Sequence, residues 1–358
     1  MPMFKNAEVD KLMAKLNKKF GADTLILGSE IRDDLVGRTT SGSLALDLIL
    51  GGGWPTNQWH EIVGEESNGK TAVALKTIAA NQAKDPNFTT VWVAAEQWVA
   101  SYAELCGVDV GRIYLINTNI MEHAYEAVIQ LVQSKAVDCI VIDSLPALVP
   151  SAENEKEVEE FTVGRGALTT NKFFRKVGIA SKRSMTEAER PFIGLMINQY
   201  RDKVGVTYGD TKTTPGGKGK NYSYFTRVEV RRKDWIEVGK GDAKRRVGQT
   251  IALKTLKNKS APPQQAAFID FYFTEGGSVS PGDYDFAKEI VALGILNGVI
   301  ARAGAYYRYG ERQWQGADAM VISIKEEIEL KEALEKDVLE VVKSGSKYVV
   351  EADEDDEE

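Results

Sequence analysis

The chain has 358 residues, 43% of them apolar and 27% charged, enough to bury one large core and a smaller accessory one in a soluble globular protein. No run approaches the ~18 apolar residues of a membrane span, and the start Met1-Pro2-Met3-Phe4-Lys5-Asn6 lacks the apolar stretch of a secretion signal, so a cytoplasmic protein without a membrane partner is expected. Of 52 acidic residues seven lie in Glu351–Glu358, and the 45 that remain balance 45 bases; a neutral body does not exclude an anionic partner, because local clusters make a binding face.

In chain order, Val9, Leu12, Met13, Leu16 and Phe20 fall at helical spacing, Gly21 ends the pattern, and Thr24–Leu27 reads as a short strand. So small a piece has no core of its own and must pack on this chain or on another copy. From about Gly42 to Glu275, β-branched runs (His60–Val63, Thr90–Ala94, Ile113–Ile116, Cys139–Ile142, Ile193–Ile197) alternate with longer helical stretches. That alternation predicts an α/β fold with a mostly parallel central sheet covered on both faces. Cys106 and Cys139 have no metal-ligand spacing and read as buried free thiols. After Tyr222 come longer strands of antiparallel character (Thr226–Arg231, Gln249–Lys257, Ala267–Phe273). A helix (Tyr284–Leu293), a Gly- and Tyr-rich segment and a charged helix (Ile324–Val342) then suggest a small C-terminal domain, and the acidic end is expected to be disordered.

The octet Gly64-Glu65-Glu66-Ser67-Asn68-Gly69-Lys70-Thr71 fits the phosphate-loop pattern G-x-x-x-x-G-K-[ST], and it lies between an expected strand and an expected helix, Thr71–Ala83. Gly64 and Gly69 let backbone N–H groups turn toward phosphates, the helix start adds its positive dipole end, Lys70 neutralises the outer phosphates, and Thr71 ligates Mg²⁺. A second contact to Mg²⁺ or its water is expected from Asp143, ending the apolar run Cys139-Ile140-Val141-Ile142. Hydrolysis needs a carboxylate to orient and deprotonate water, and Glu96, past the strand at Val91–Ala95 and without a charged neighbour, is best placed. Gln199 ends another strand, where it could report the γ-phosphate to the segment after it. From Arg201 to Lys233 there are nine bases and three acids, with several glycines in the first half. Such a stretch is either a solvated surface loop or a phosphate-backbone grip.

Taken together these residues resemble one family, the bacterial RecA recombinases and their phage-borne relatives, over nearly the whole chain. The likeness rests on Ser41-Gly-Ser-Leu-Ala-Leu-Asp47, the phosphate loop, Ala95-Glu96, Gly107-Val108-Asp109, Ala136-Val137-Asp138 through Asp143-Ser144, and Ile197-Asn198-Gln199-Tyr200-Arg201. Thr213-Thr214-Pro215-Gly216-Gly217, Lys257-Asn258-Lys259 with Ala261-Pro262, and Gly304-Ala305-Tyr306-Tyr307 continue it in the same order. The resemblance implies a DNA-dependent ATPase that uses ATP and Mg²⁺, forms a helical homo-oligomeric filament on single-stranded DNA, and exchanges strands with homologous double-stranded DNA. It implies a polymerisation element at 1–32, a phosphate-loop core at 33–278 with DNA loops near 153–164 and 201–220, a C-terminal domain at 279–343 and a tail at 344–358. Gln199 becomes a switch between γ-phosphate and DNA, Lys257 and Lys259 reach ATP held by a neighbouring subunit, and Tyr102 and Tyr272 contact the nucleotide. DNA contacts are implied at Val163, Gly164 and Arg175, and at Arg201, Lys203, Val204, Gly216, Gly217, Lys218 and Arg227.

The sequence also departs from the family. The first DNA loop carries Glu153, Glu155, Glu157, Glu159 and Glu160 against Lys156, Glu65-Glu66-Ser67-Asn68 replaces the usual Pro-Glu-Ser-Ser, and no acid precedes Tyr102 in Val99-Ala100-Ser101, which implies looser base selectivity. Two other functions remain open: a hexameric DNA motor of the same fold, and an ATP-binding mediator that does not exchange strands.

Overall fold

The computed structural model describes residues 6–21, 23–32, 37–155, 164–185, 187–203 and 212–343. Val163, Val204, the interiors of both expected DNA loops and the acidic tail lie outside the described residues.

Eight strands make the main sheet: β1 (Gln58–Gly64), β2 (Thr90–Ala94), β3 (Ile113–Ile116), β4 (Cys139–Asp143), β5 (Ile193–Gln199), β6 (Thr226–Val238), β7 (Arg245–Asn258) and β8 (Ala266–Tyr272), in the order β8-β7-β6-β1-β5-β4-β2-β3. β1 to β6 are parallel, and β7 and β8 add antiparallel to the β6 edge. Along β4 the side chains alternate between two cores. Val141 faces the cluster built with the helices Leu44–Leu50 and Lys70–Lys84, whereas Ile140 and Ile142 face the one built with Met121–Ser134 and Arg165–Ala180. The second core is aromatic: Tyr125 stacks on Phe173 at 4.1 Å between centroids, and Trp59 meets Phe173 edge-on at 5.3 Å. β6 and β7 outrun the expected Thr226–Arg231 and Gln249–Lys257. β1 supports β6 only over Thr226–Glu229, beyond which the two long strands pair with each other as a hairpin with register shifts near Arg232.

Two expectations are corrected. Thr24–Leu27 is not a strand: a strand needs a ladder partner, and none is supplied among the described residues. Instead Asn17 clamps Leu25 through two 2.9 Å hydrogen bonds, a turn that folds the segment back on its own helix. That helix, Ala7–Phe20, buries no residue and leaves Val9, Leu12 and Phe20 in solvent. The charged C-terminal helix is two helices, Ala317–Glu326 and Ile328–Lys343, broken where Glu327 turns extended and accepts from Nη1 and Nη2 of Arg312, each at 2.7 Å. The break lets Leu330, Leu334 and Val338 join a third core with Met320, Ile324 and Ile290, and the Gly- and Tyr-rich segment forms a three-stranded sheet beside it.

Candidate functional site

The in-register parallel strands bring their carboxyl ends to one edge: Gly64 is the partner of Gln199, and Ala94 of Asp143. Gly64 leaves no room for a side chain, since a Cβ there would lie 2.1 Å from the Val230 carbonyl oxygen. Gly69 caps the helix Lys70–Lys84 in the left-handed region, φ 96°, and brings no side chain to its first N–H groups, which stay available to an anion. Beside them opens a cleft of about 770 Å³.

At its polar end Lys70 is buried, and its Nζ donates to the Glu65 carbonyl oxygen at 2.5 Å. Burial pulls the Lys70 pKa down, while Asp143 and Glu96 work against that shift. Asp143 is buried and accepts from Thr71 Oγ1 at 3.1 Å. Burial first, then the Glu96 carboxylate, pushes Asp143 up to about 7. Glu96 is exposed to the cleft, its N–H donates to the Asp143 carbonyl at 3.1 Å, and its carboxylate accepts from the Ser144 hydroxyl. Gln199 and Glu66 line the same end.

The other end is aromatic. Tyr102 lines it as expected, and Trp98, Trp235, Phe271 and Phe273 join it, none of them singled out by sequence. Trp235 lies in a run of bases, so its only signal was an aromatic among charges; Arg232 and Arg246 hold its ring at 4.2 and 4.6 Å.

Four sequence expectations fall elsewhere. Tyr272 is buried against Gly248 and Gly277, because strand alternation turns its neighbours Phe271 and Phe273 to the cleft instead. The Glu65 carboxylate leaves the cleft and pairs with Lys212 at 2.7 Å, so Glu66 alone adds negative loop charge there. Asn68 is buried and does not line the cleft. Arg227, read as a DNA contact, lies in β6 with Nε 2.5 Å from the fully buried Glu61 carboxylate, which needs a compensating charge.

Lys257, on β7, and Lys259, just past its end at Asn258, do not line the cleft of their own chain. Lys257 donates to the carbonyls of Asn221 and Tyr222 at 2.7 and 3.2 Å, and Lys259 to Tyr222 at 3.3 Å. Burial first, then Lys259 and Arg227, bring Lys257 down to about 8.

Beyond Gln199 the chain emerges at Arg201–Asp202, which pairs with Lys212–Thr213 to close a narrow stem. Arg201 and Lys218 are exposed and Lys203 is half-buried. Gly216 and Gly217 are both left-handed, and a Cβ on them would lie 2.9 Å from Leu145 and 3.0 Å from Ala167, so this stem rests on the helix that begins after Gly164 and carries the exposed Arg175. The first turn of that helix therefore lies beside the Gly216-Gly217 turn.

A family model described as the RecA N-terminal domain matches residues 7–278. The chain belongs to the RecA family. Protein RecA of Lactococcus lactis subsp. cremoris (strain MG1363) is 36% identical over 326 residues, 89% of this chain and 81% of its own length. Protein RecA of Staphylococcus aureus (strain JH9) is 35% identical over 336 residues, 93% and 91% of the two chains. The likeness thus runs past the RecA N-terminal domain into the third core. The α/β sheet of β1 to β8 is a RecA-like fold, and no described helix is long and apolar enough to cross a membrane.

Proposed function

We propose that this RecA-family chain is a DNA-dependent ATPase that assembles on single-stranded DNA as a filament, pairs it with homologous duplex and exchanges strands. The observation that carries the reading is the shared strand edge. Gly64, Asp143 and Gln199 end adjacent parallel strands at one cleft, and Gln199 lies two residues from Arg201, where the basic loop begins.

The residues fit a magnesium nucleoside triphosphate. Thr71 and Asp143 supply hard oxygen donors 3.1 Å apart, and Lys70 spends its ammonium on a loop carbonyl that phosphate oxygens would replace. Bound there, Mg²⁺ would neutralise charge on the phosphates. Lys70 and the Gly69-capped helix start hold the phosphate oxygens. Glu96, steadied by Ser144 and the Asp143 carbonyl, orients a water and accepts its proton. Gln199 senses the outer phosphate, and Lys257 and Lys259 reach the triphosphate of an adjacent copy, since they face away from their own. Nucleobase contact falls to Tyr102 and the aromatic wall. Arg201, Lys203, Lys218 and Arg175 contact the DNA backbone around the Gly164 and Gly216-Gly217 turns.

ATP turnover measured with and without single-stranded DNA tests this. Stimulation is expected, and turnover indifferent to DNA would overturn it.

A further inference from the structure

A buried charge cluster lies beneath the basic loop, apart from the nucleotide cleft. Glu61, midway along β1, is 0% exposed. Arg227 Nε of β6 stands 2.5 Å from its Oε2, while Asn198 Nδ2 of β5 donates to its Oε1 at 2.8 Å. Lys220, in the short helix Gly219–Ser223 that closes the loop stem, points Nζ at the same Oε1 from 3.3 Å. Its side chain is also 0% exposed, and its other donors go to Thr214 Oγ1 at 2.7 Å and Asn221 Oδ1 at 2.9 Å. A lysine has three donors, and all three are engaged.

Apolar residues in place of the whole cluster could match it in stability, since buried ion pairs often only break even against hydrophobic replacements, so stability alone does not call for a lysine here. What the ammonium adds is direction: it ties the stem to one atom. Gly216 in the same stem has no Cβ, which would sit 2.9 Å from the Lys220 stem. The tie also reaches the cleft, because Asn198 Oδ1 accepts from the Gln199 N–H at 3.0 Å and Asn198 Nδ2 lies 3.4 Å from the Pro215 carbonyl. Glu61 is therefore shared by the strand entering the phosphate loop, the strand ending at Gln199, and the helix closing the basic loop.

We propose that Lys220 is a positioning residue that, through Glu61 and Asn198, fixes the 212–223 stem to the Gly64–Gln199 edge and so transmits cleft occupancy to the DNA loop. The proposal rests on the recombinase reading above. Lys220→Met keeps the length of the side chain, removes the ammonium and leaves Glu61 with Arg227 and Asn198. In the full chain, nucleotide affinity and DNA-free turnover are expected to stay within about twofold of the parent. The ssDNA stimulation of turnover, and the tightening of ssDNA binding by a slowly hydrolysed ATP analogue, should each fall about tenfold, within the range of coupling changes. Parental coupling in a Lys220→Met protein with parental melting would overturn this inference alone, whereas a parent indifferent to DNA would overturn the recombinase reading and this inference with it. Should Lys220→Met not fold, Thr214→Val removes one acceptor without touching charge. A smaller loss of coupling in the same direction is expected there, and parental coupling in that variant overturns the proposal.

Discussion

Glu96 is exposed to the cleft, and its carboxylate accepts from a neutral hydroxyl, Ser144, so its charge is available to act on water. Glu96→Gln keeps the size and the hydrogen-bonding capacity of the side chain but removes the base. Turnover should drop by roughly 10²–10⁴ while nucleotide affinity stays near the parent value. Single-turnover hydrolysis alongside equilibrium nucleotide binding separates the two, and lost affinity would move Glu96 from the chemistry to the binding of the nucleotide. A second residue, His60, sets a pH dependence of the fold. It is fully buried, shares a 2.9 Å hydrogen bond between Nε2 and the Pro55 carbonyl, and is pushed by burial from 6.5 down to about 4. Between those values the unfolded chain binds a proton that the folded one refuses. This contribution is therefore complete above about pH 6.5 and lost as the pH falls toward 4, amounting to about 3 kcal/mol. Chemical denaturation of His60→Gln across that window should show a shallower acid-side slope than the parent; an unchanged slope would mean that other groups govern acid unfolding.

β7 joins two sites at the scale of an element. Lys257, and Lys259 just past the end of the strand, donate to carbonyls of the helix Gly219–Ser223, whose Lys220 enters the Glu61 cluster. On the proposed interface role the triphosphate of the adjacent copy loses a cation in Lys257→Ala, so DNA-stimulated turnover should be abolished while nucleotide binding to the isolated monomer stays nearly intact. Calorimetric titration of dilute monomer checks this, and weakened binding there would refute the interface role. β2, β4 and β5 were legible in the sequence because strands buried on both faces read as apolar runs, and those of β4 and β5 lead to Asp143 and Gln199 at the cleft edge. The partners of β6 were not. Arg227 and Lys220 count as bases in a loop until the burial of Glu61 is known, and the one local signal was a charge set between His60 and Ile62 of an apolar strand. Trp235 and Phe273 escaped notice because what makes them part of the cleft is a hairpin and an alternation decided by pairing, not by local composition. Thr24–Leu27 has the composition of a strand and no partner among the described residues to make it one.

Charge is distributed unevenly over the whole molecule. The β6–β7 hairpin exposes Arg231, Arg232 and Lys233 on one strand and Arg245 and Arg246 on the other, and the stem of the basic loop exposes Arg201 and Lys218 on a body whose acids and bases otherwise balance. Seven acids in Glu351–Glu358 carry the whole net charge of −7. On a tether such acids would supply a high local concentration of anion able to compete with phosphates for those bases. Such competition is long-ranged and screened over about 10 Å at 0.1 M salt, so it should weaken duplex binding most at low ionic strength. Removing Glu351–Glu358 is therefore expected to strengthen duplex affinity and to steepen its fall with salt, because more counterions are released when the bases are no longer pre-neutralised. The two proteins should converge at high salt. Fluorescence anisotropy on a labelled duplex across a salt series measures both the affinity and its slope, and superimposable curves for the full-length and shortened chains would show that the tail does not compete for the DNA face.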